Sequence, residues 1–120
     1  MKLSKIVEIL NAQNIHLSSE TVLDNEYQYV FAADLMSDAL ALVCTNCGET
    51  ILLTGLANRQ TLRTAEMLDI STIIFVRDKT IQNSDIELEP ELQFNLFTTS
   101  FSMYEACGLM YEAGLRTATK

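Results

Sequence analysis

Two stretches of this chain, Thr50-Ile51-Leu52-Leu53-Thr54 and Thr72-Ile73-Ile74-Phe75-Val76, are apolar or β-branched at every position. A strand with one wet face alternates polar and apolar residues. A strand that does not alternate is covered on both faces, as in a parallel sheet packed between helices. The segment between them carries the matching crossover. Asn58 is placed to cap a helix over Arg59–Leu68, with Leu62, Ala65 and Leu68 on one stripe. The same alternation extends outward. Tyr27–Ala33 reads as a strand, followed by a helix from the cap Asp34 to about Val43 with Leu35, Ala39 and Leu42 on its inner face. Asn95–Thr98 reads as a further strand, and Phe101–Ala113 as a helix opened by Ser102-Met103-Tyr104-Glu105, a capping-box pattern. Ser4–Ala12 is a short amphipathic helix, and Ile81–Leu92, limited by Pro90, is a short acidic helix or a loop. Strands separated by helices imply parallel pairing with right-handed crossovers. The expected fold is therefore α/β: one small, mostly parallel sheet with flanking helices, formed by residues 1–120 as a single domain.

Composition narrows the function classes. The 48% hydrophobic and 20% charged fractions, over 120 residues, suit one globular core without metals or disulfides. Sixteen acids against eight bases give a net charge of -8, which argues against nucleic acid and anionic membrane as partners. No apolar run approaches the ~20 residues that span a bilayer. Met1–Lys5 leads into the amphipathic helix rather than a signal-peptide core, so the cytosol is the expected compartment and three reduced cysteines the expected state.

In open α/β sheets ligands sit beyond the C-terminal ends of the strands. Here those places are Ala33-Asp34, Thr54-Gly55, Val76-Arg77 and Thr98-Thr99. Thr54-Gly55-Leu56-Ala57-Asn58-Arg59 joins a buried strand to a helix, with a glycine where a backbone could approach an anion. The spacing is neither G-x-G-x-x-G nor a Walker loop. Arg59 and Arg63, spaced i,i+4 near a helix start, oppose the helix dipole, and a bound phosphate or carboxylate would relieve that. Equally, Arg63 can pair with Glu66 while Arg59 is solvated, and this is the preferred reading. Asp34 and Asp38 put two carboxylates at a helix start, suited to acid/base work or a metal, and more simply to capping. Thr98, Thr99, Ser100 and Ser102 could hydrogen-bond a phosphate or a sugar, or serve as caps. Cys44-Thr45-Asn46-Cys47 with Cys107 and the one histidine, His16, could form a Cys₃His zinc site or a redox pair. Idle, buried thiols are the preferred reading. No nucleophile–base spacing suggests an enzyme, and no cofactor is expected.

The final helix carries two apolar stripes: Met103, Ala106, Cys107, Met110 and Gly114, and beside it Tyr104, Gly108, Tyr111 and Leu115. Packing on a sheet needs one. The second, aromatic and relieved by Gly108, is expected to be a homodimer interface.

Asp34-Leu35-Met36-Ser37-Asp38, Leu52-Leu53-Thr54-Gly55-Leu56, Arg63-Thr64-Ala65-Glu66-Met67-Leu68-Asp69-Ile70 and Tyr104-Glu105-Ala106-Cys107-Gly108 together resemble stand-alone members of the DRTGG domain family. The resemblance covers most of the chain and implies a fold similar to the N-terminal domain of HPr kinase/phosphatase. Family members occur beside CBS domains in inorganic pyrophosphatases and beside phosphotransacetylase domains. The implied role is regulatory: ligand sensing, dimerisation, or both. The preferred reading is a non-catalytic regulatory or interaction module; the alternative is a sensor that binds a phosphorylated metabolite or an adenine nucleotide at the strand-to-helix junctions, through Thr54, Gly55, Asn58, Arg59, Arg63, Arg77, Thr98 and Thr99. The chain departs from the family's namesake residues. The Asp-Arg that follows a glycine is here Asn58-Arg59, and Arg77-Asp78-Lys79 stands where a Thr-Gly-Gly is expected.

Overall fold

The structure, a computed structural model, describes residues 1–42, 47–82 and 93–118. Along the chain run α1 (Leu3–Ile9), β1 (Gln13–His16), β2 (Tyr29–Ala32), α2 (Met36–Leu42), β3 (Thr50–Thr54), α3 (Arg59–Met67), β4 (Thr72–Phe75), β5 (Asn95–Thr98), α4 (Met103–Glu112) and β6 (Arg116–Thr117). The described strands form one sheet in the order β1-β5-β4-β3-β2-β6. β2, β3, β4 and β5 are parallel neighbours, β6 pairs parallel with β2, and β1 closes the far edge antiparallel to β5. The α/β architecture with a mostly parallel sheet is as the residue pattern requires.

Every residue of β3 and β4 is buried. Alternation along them sends side chains to two separate cores. Leu52, Ile73 and Phe75 face one core with Met36 and Ala39 of α2 and Leu62 and Ala65 of α3. Ile51, Leu53 and Ile74 face the other with Leu3 and Ile6 of α1 and Ala106 and Met110 of α4. Three layers result, helices on sheet on helices, which is the arrangement an uninterrupted apolar strand demands.

Three helices stop in the same way. Past α1, α3 and α4, the residues Asn11, Asp69 and Gly114 take φ of 47°, 58° and 112°. The next amide in each case bonds five residues back, Ala12 to Val7, Ile70 to Ala65 and Leu115 to Met110, at 2.9, 2.9 and 3.1 Å. This is the Schellman arrangement, in which a left-handed residue turns the chain and returns an apolar residue to the core. It moves Leu115 off the aromatic stripe. Leu115 is 3% exposed and packs with Met110 and Leu53, so the expected interface face reduces to Tyr104, Gly108 and Tyr111.

Other expectations shift. α2 starts at Met36, so Asp34 is not its cap, and the buried residues are Met36 and Ala39 while Leu35 is 60% exposed. Asn58 does cap α3, accepting from the Thr61 amide at 3.1 Å, and Ser102 and Glu105 form the capping box on α4. β1 and β6 were not expected: Gln13-Asn14-Ile15-His16 is a polar edge strand and Arg116-Thr117 is two residues long. Val43, Cys44 and most of Ile81–Leu92 lie outside the described residues.

The strand starts are sealed by polar contacts. The Tyr27 hydroxyl meets Thr72 Oγ1 at 2.6 Å, the Asn95 amide donates to the same oxygen at 3.4 Å, and Asn95 Oδ1 accepts from the Ser18 amide and hydroxyl at 3.1 and 3.0 Å. Replacing Thr72 with Val keeps its volume and strips a buried hydroxyl and amide of their shared partner. A loss of about 1–3 kcal/mol is expected. Urea denaturation should show the midpoint falling with the slope unchanged.

Candidate functional site

The opposite end of the sheet, where β2, β3 and β4 run out, is open and charged. Asp34, two residues past β2, reaches across to the β3–α3 turn instead of capping its own helix. Its Oδ1 accepts from the Gly55 amide at 2.6 Å and from the Thr54 hydroxyl at 3.4 Å, and its Oδ2 faces Arg77 Nη2 at 3.8 Å. Both charged side chains stay about half exposed, at 52% for Asp34 and 47% for Arg77. Thr54 also accepts from the Leu56 amide at 3.1 Å, and the Thr61 hydroxyl donates to Leu56 O at 2.5 Å, so the loop that presents Gly55 is braced from both sides.

Gly55 is close-packed. A Cβ built there would collide with Arg77 Nη2 and lie 3.1 Å from Asp34 Oδ1. Gly114 is the glycine with a left-handed φ, so the backbone at Gly55 does not itself need glycine; a side chain there would instead push the guanidinium off its seat.

Arg77 is aimed by a strained turn. Arg77 and Asp78 have φ of 55° and 57°, two consecutive left-handed residues at the tripeptide where the DRTGG resemblance expects Thr-Gly-Gly. For Arg this conformation costs about 1–2 kcal/mol, whereas Asp tolerates it better. Three backbone bonds hold it: Arg77 N to Phe101 O and Asp78 N to Thr99 O, each 2.9 Å, and Lys79 N to Val76 O at 3.1 Å, which closes the turn.

The residues expected to bind a ligand therefore separate. Thr54, Gly55 and Arg77 come together with Asp34. Arg59 and Arg63 occupy the first two turns of α3, half-buried and exposed respectively, and Asn58 is engaged as the cap. Thr98 and Thr99 are committed to structure. Thr98 Oγ1 donates to Lys79 O and Thr99 Oγ1, 1% exposed, to Leu10 O, both at 2.6 Å. Asp38 is exposed in the first turn of α2 while Asp34 turns to Gly55. Among the described residues no metal-binding cluster comes together. His16 pairs with Leu96 at the β1 edge, whereas Cys107 lines a cleft with Val30 and Thr117 at the β2–β6 edge, across the sheet. Cys44 lies outside the described residues. Burial pushes the Cys107 thiol up, which keeps it protonated and a poor nucleophile near neutral pH.

A second surface lies on α4. Tyr104 is 88% and Tyr111 67% exposed, with Gly108 between them. Together with Phe101 and Leu109 they line a groove edged by Glu105, Glu112 and Arg116. Arg116, missed in the sequence, sits 4.7 Å from the Tyr111 ring centroid and donates to Tyr111 O and Leu115 O, fixing the C-terminal end of this face. Its place follows from the Gly114 turn, which folds residue 116 back over the helix.

Among solved structures, the chain is similar to the CBS and DRTGG domains of the regulatory region of a Clostridium perfringens pyrophosphatase, determined with its activator diadenosine tetraphosphate. The TM-score is 0.69 at 18% identity, over 95% of this chain and 47% of that one. The likeness is one of fold. The chain spans about half the length of that neighbour. No family model and no curated protein matches the sequence. No helix of the described residues is long and apolar enough to cross a membrane.

The packing at Gly55 makes a definite demand. Gly55→Ala should displace the Arg77 guanidinium and break its pairing with Asp34, while the backbone accepts alanine. An exposed pair contributes about 0–1 kcal/mol, so the melting free energy should change by no more than about 1 kcal/mol. The Arg77 side-chain NMR signals should move toward those of a solvated arginine.

Proposed function

We propose that this chain is a non-catalytic regulatory module that self-associates through the outer face of α4. The observation that carries the reading is the exposure of two tyrosines on one helical face with a glycine between them. Large aromatic rings are seldom left in water without a partner to cover them. A second copy of the chain is the occupant that fits, because the same aromatic face can cover itself about a two-fold axis. In an antiparallel two-fold pairing centred on Gly108, each Tyr104 meets the partner's C-terminal half of the helix. Glu105 then approaches the end that carries Glu112 and Arg116, and Arg116 is the cation that offsets the carboxylates around an aromatic centre. The net charge of -8 opposes this only weakly at physiological salt, where the Debye length is about 8 Å. A reducing cytosol suits the protonated Cys107 beside this face. The one histidine, His16, lies toward the other end of the sheet from Asp34 and Arg77, which supports a binding rather than a catalytic role for the strand exits.

Static light scattering at micromolar concentration should return twice the chain mass. Tyr111→Glu should weaken association by at least about tenfold, as loss of a central aromatic anchor does, and leave the circular dichroism spectrum unchanged because the ring is outside the core. A wild-type chain that stays monomeric at high concentration defeats this reading.

A second reading has its own support. Of the eight Lys and Arg residues, four (Arg59, Arg63, Arg77 and Lys79) follow β3 or β4 in a chain that is otherwise strongly acidic. The structural neighbour carries an adenine nucleotide activator. Both favour sensing of an adenine nucleotide or a phosphorylated metabolite at the strand exits. Melting with ATP or diadenosine tetraphosphate at a hundred times the dissociation constant should raise stability by about 2.7 kcal/mol. An unmoved transition across nucleotides and sugar phosphates removes the sensor reading and leaves the interaction module.

A further inference from the structure

We propose that the Asp34 carboxylate is the built-in occupant of a phosphoryl-binding site at the exits of β2, β3 and β4, and that a phosphate-bearing ligand binds by displacing it. The proposal rests on the sensor reading and narrows it to one set of atoms.

Two donors and a cation converge on this carboxylate: the Gly55 amide at 2.6 Å and the Thr54 hydroxyl at 3.4 Å hydrogen-bond it, and Arg77 Nη2 stands 3.8 Å away as an ion pair. A backbone N–H, a hydroxyl and a guanidinium are what a phosphoryl group takes as partners, since its oxygens are anionic acceptors. Asp34 satisfies them with only two oxygens and from half-exposed surface. A phosphoryl group offers three oxygens and more charge to the same donors.

At Gly55 the Arg77 guanidinium merely rests where a Cβ would stand. One feature is otherwise costly without such a role. Arg77 holds a left-handed conformation unfavourable for a residue with a side chain, and the turn that imposes it directs the guanidinium to Gly55. Strain of this kind concentrates where a binding geometry is held in advance. Asp34 lies outside α2, which begins at Met36, and its carboxylate is turned to Gly55, Thr54 and Arg77. Its position across the strand exits is intelligible as a counter-anion that keeps Arg77 in place while the site holds no ligand. Binding then exchanges one anion for another, and Asp34 sets the affinity by competing.

Titration of inorganic pyrophosphate and, separately, of ATP into the full chain tests this, followed by calorimetry and by the Gly55 amide resonance. The Gly55 amide should shift on pyrophosphate addition. Asp34→Ala should tighten pyrophosphate binding about tenfold, the scale of removing one like charge at contact distance from a half-exposed site. Asp34→Asn, which keeps an acceptor for the Gly55 amide, guards against a folding defect and should tighten binding in the same direction. Arg77→Gly, which suits the left-handed turn, should abolish binding without lowering the melting temperature. If both Asp34 variants bind pyrophosphate no more tightly than wild type, the proposal is overturned. ATP binding that leaves Gly55 unmoved and is equal in all variants overturns it while sparing the sensor reading. Pyrophosphate at Gly55 without ATP binding keeps the site and removes the adenine nucleotide. Silence from every protein with both probes removes both.

Discussion

The structure depends on the full burial of β3 and β4. No side chain on either strand reaches solvent, so neither face of the sheet centre can be left uncovered. Helices must lie on both sides, each helix must leave from a strand end and return to the next strand start, and every polar group at the centre must find a protein partner. The two cores, the alternation of Ile51, Leu52 and Leu53 between them, and the tight helix stops after α1, α3 and α4 all follow from that demand. A strand with a wet face would have tolerated looser ends.

The two ends of the sheet meet the demand differently. At the strand starts Tyr27, Thr72, Asn95 and Ser18 satisfy one another in a neutral network, with Thr72 fully buried and Tyr27 and Asn95 at 2% exposure. At the strand exits the partners are charged and half exposed. Parallel strands present outward-pointing amides at their exits, Gly55 among them, and an anion satisfies such an amide well. At these exits Arg77 stands opposite Asp34, and the Asp34 carboxylate turns to the Gly55 amide and the guanidinium although its place in the sequence suggested a helix cap.

Much of this was legible in the sequence, and the rest was hidden for identifiable reasons. β3 and β5 have the bounds the pattern predicts, and β3 is marked sharply by its uninterrupted run and the Gly55 that follows it. Asn58 and the Ser102–Glu105 box are local signals and were read as such. β1 was invisible because an edge strand needs only one hydrogen-bonding neighbour and little apolar surface, and Gln13-Asn14-Ile15-His16 looks like a loop. Leu115 was misplaced by continuing helical periodicity through Gly114, a residue that in the left-handed position ends a helix and sends the next side chain inward. Asp34 was misread because a capping residue and an anion across a strand exit have the same local sequence. What decides between them is Gly55, twenty-one residues away, and no local pattern records that pairing. Thr98 and Thr99 looked like ligand hydroxyls for the same reason, since their acceptors, Lys79 O and Leu10 O, are remote in sequence.

Arg77 joins the two surfaces of the molecule. Its side chain reaches Asp34 above Gly55, and its amide is bound to Phe101 O, one residue before the capping box that starts α4. Phe101 lines the groove that Tyr104 and Tyr111 border. The strand exits and the aromatic face are thus one residue and one hydrogen bond apart. The backbone in between is not slack: Asp78 N to Thr99 O and Thr99 Oγ1 to Leu10 O tie the same loop to its neighbours. A left-handed arginine between two such bonds has few conformations open to it, so a change of partner at the guanidinium is confined to the side chain or is passed to the head of α4. Arg77→Gly removes the first surface's cation while keeping the amide that supports the second, and in doing so separates what the guanidinium does from what the turn does.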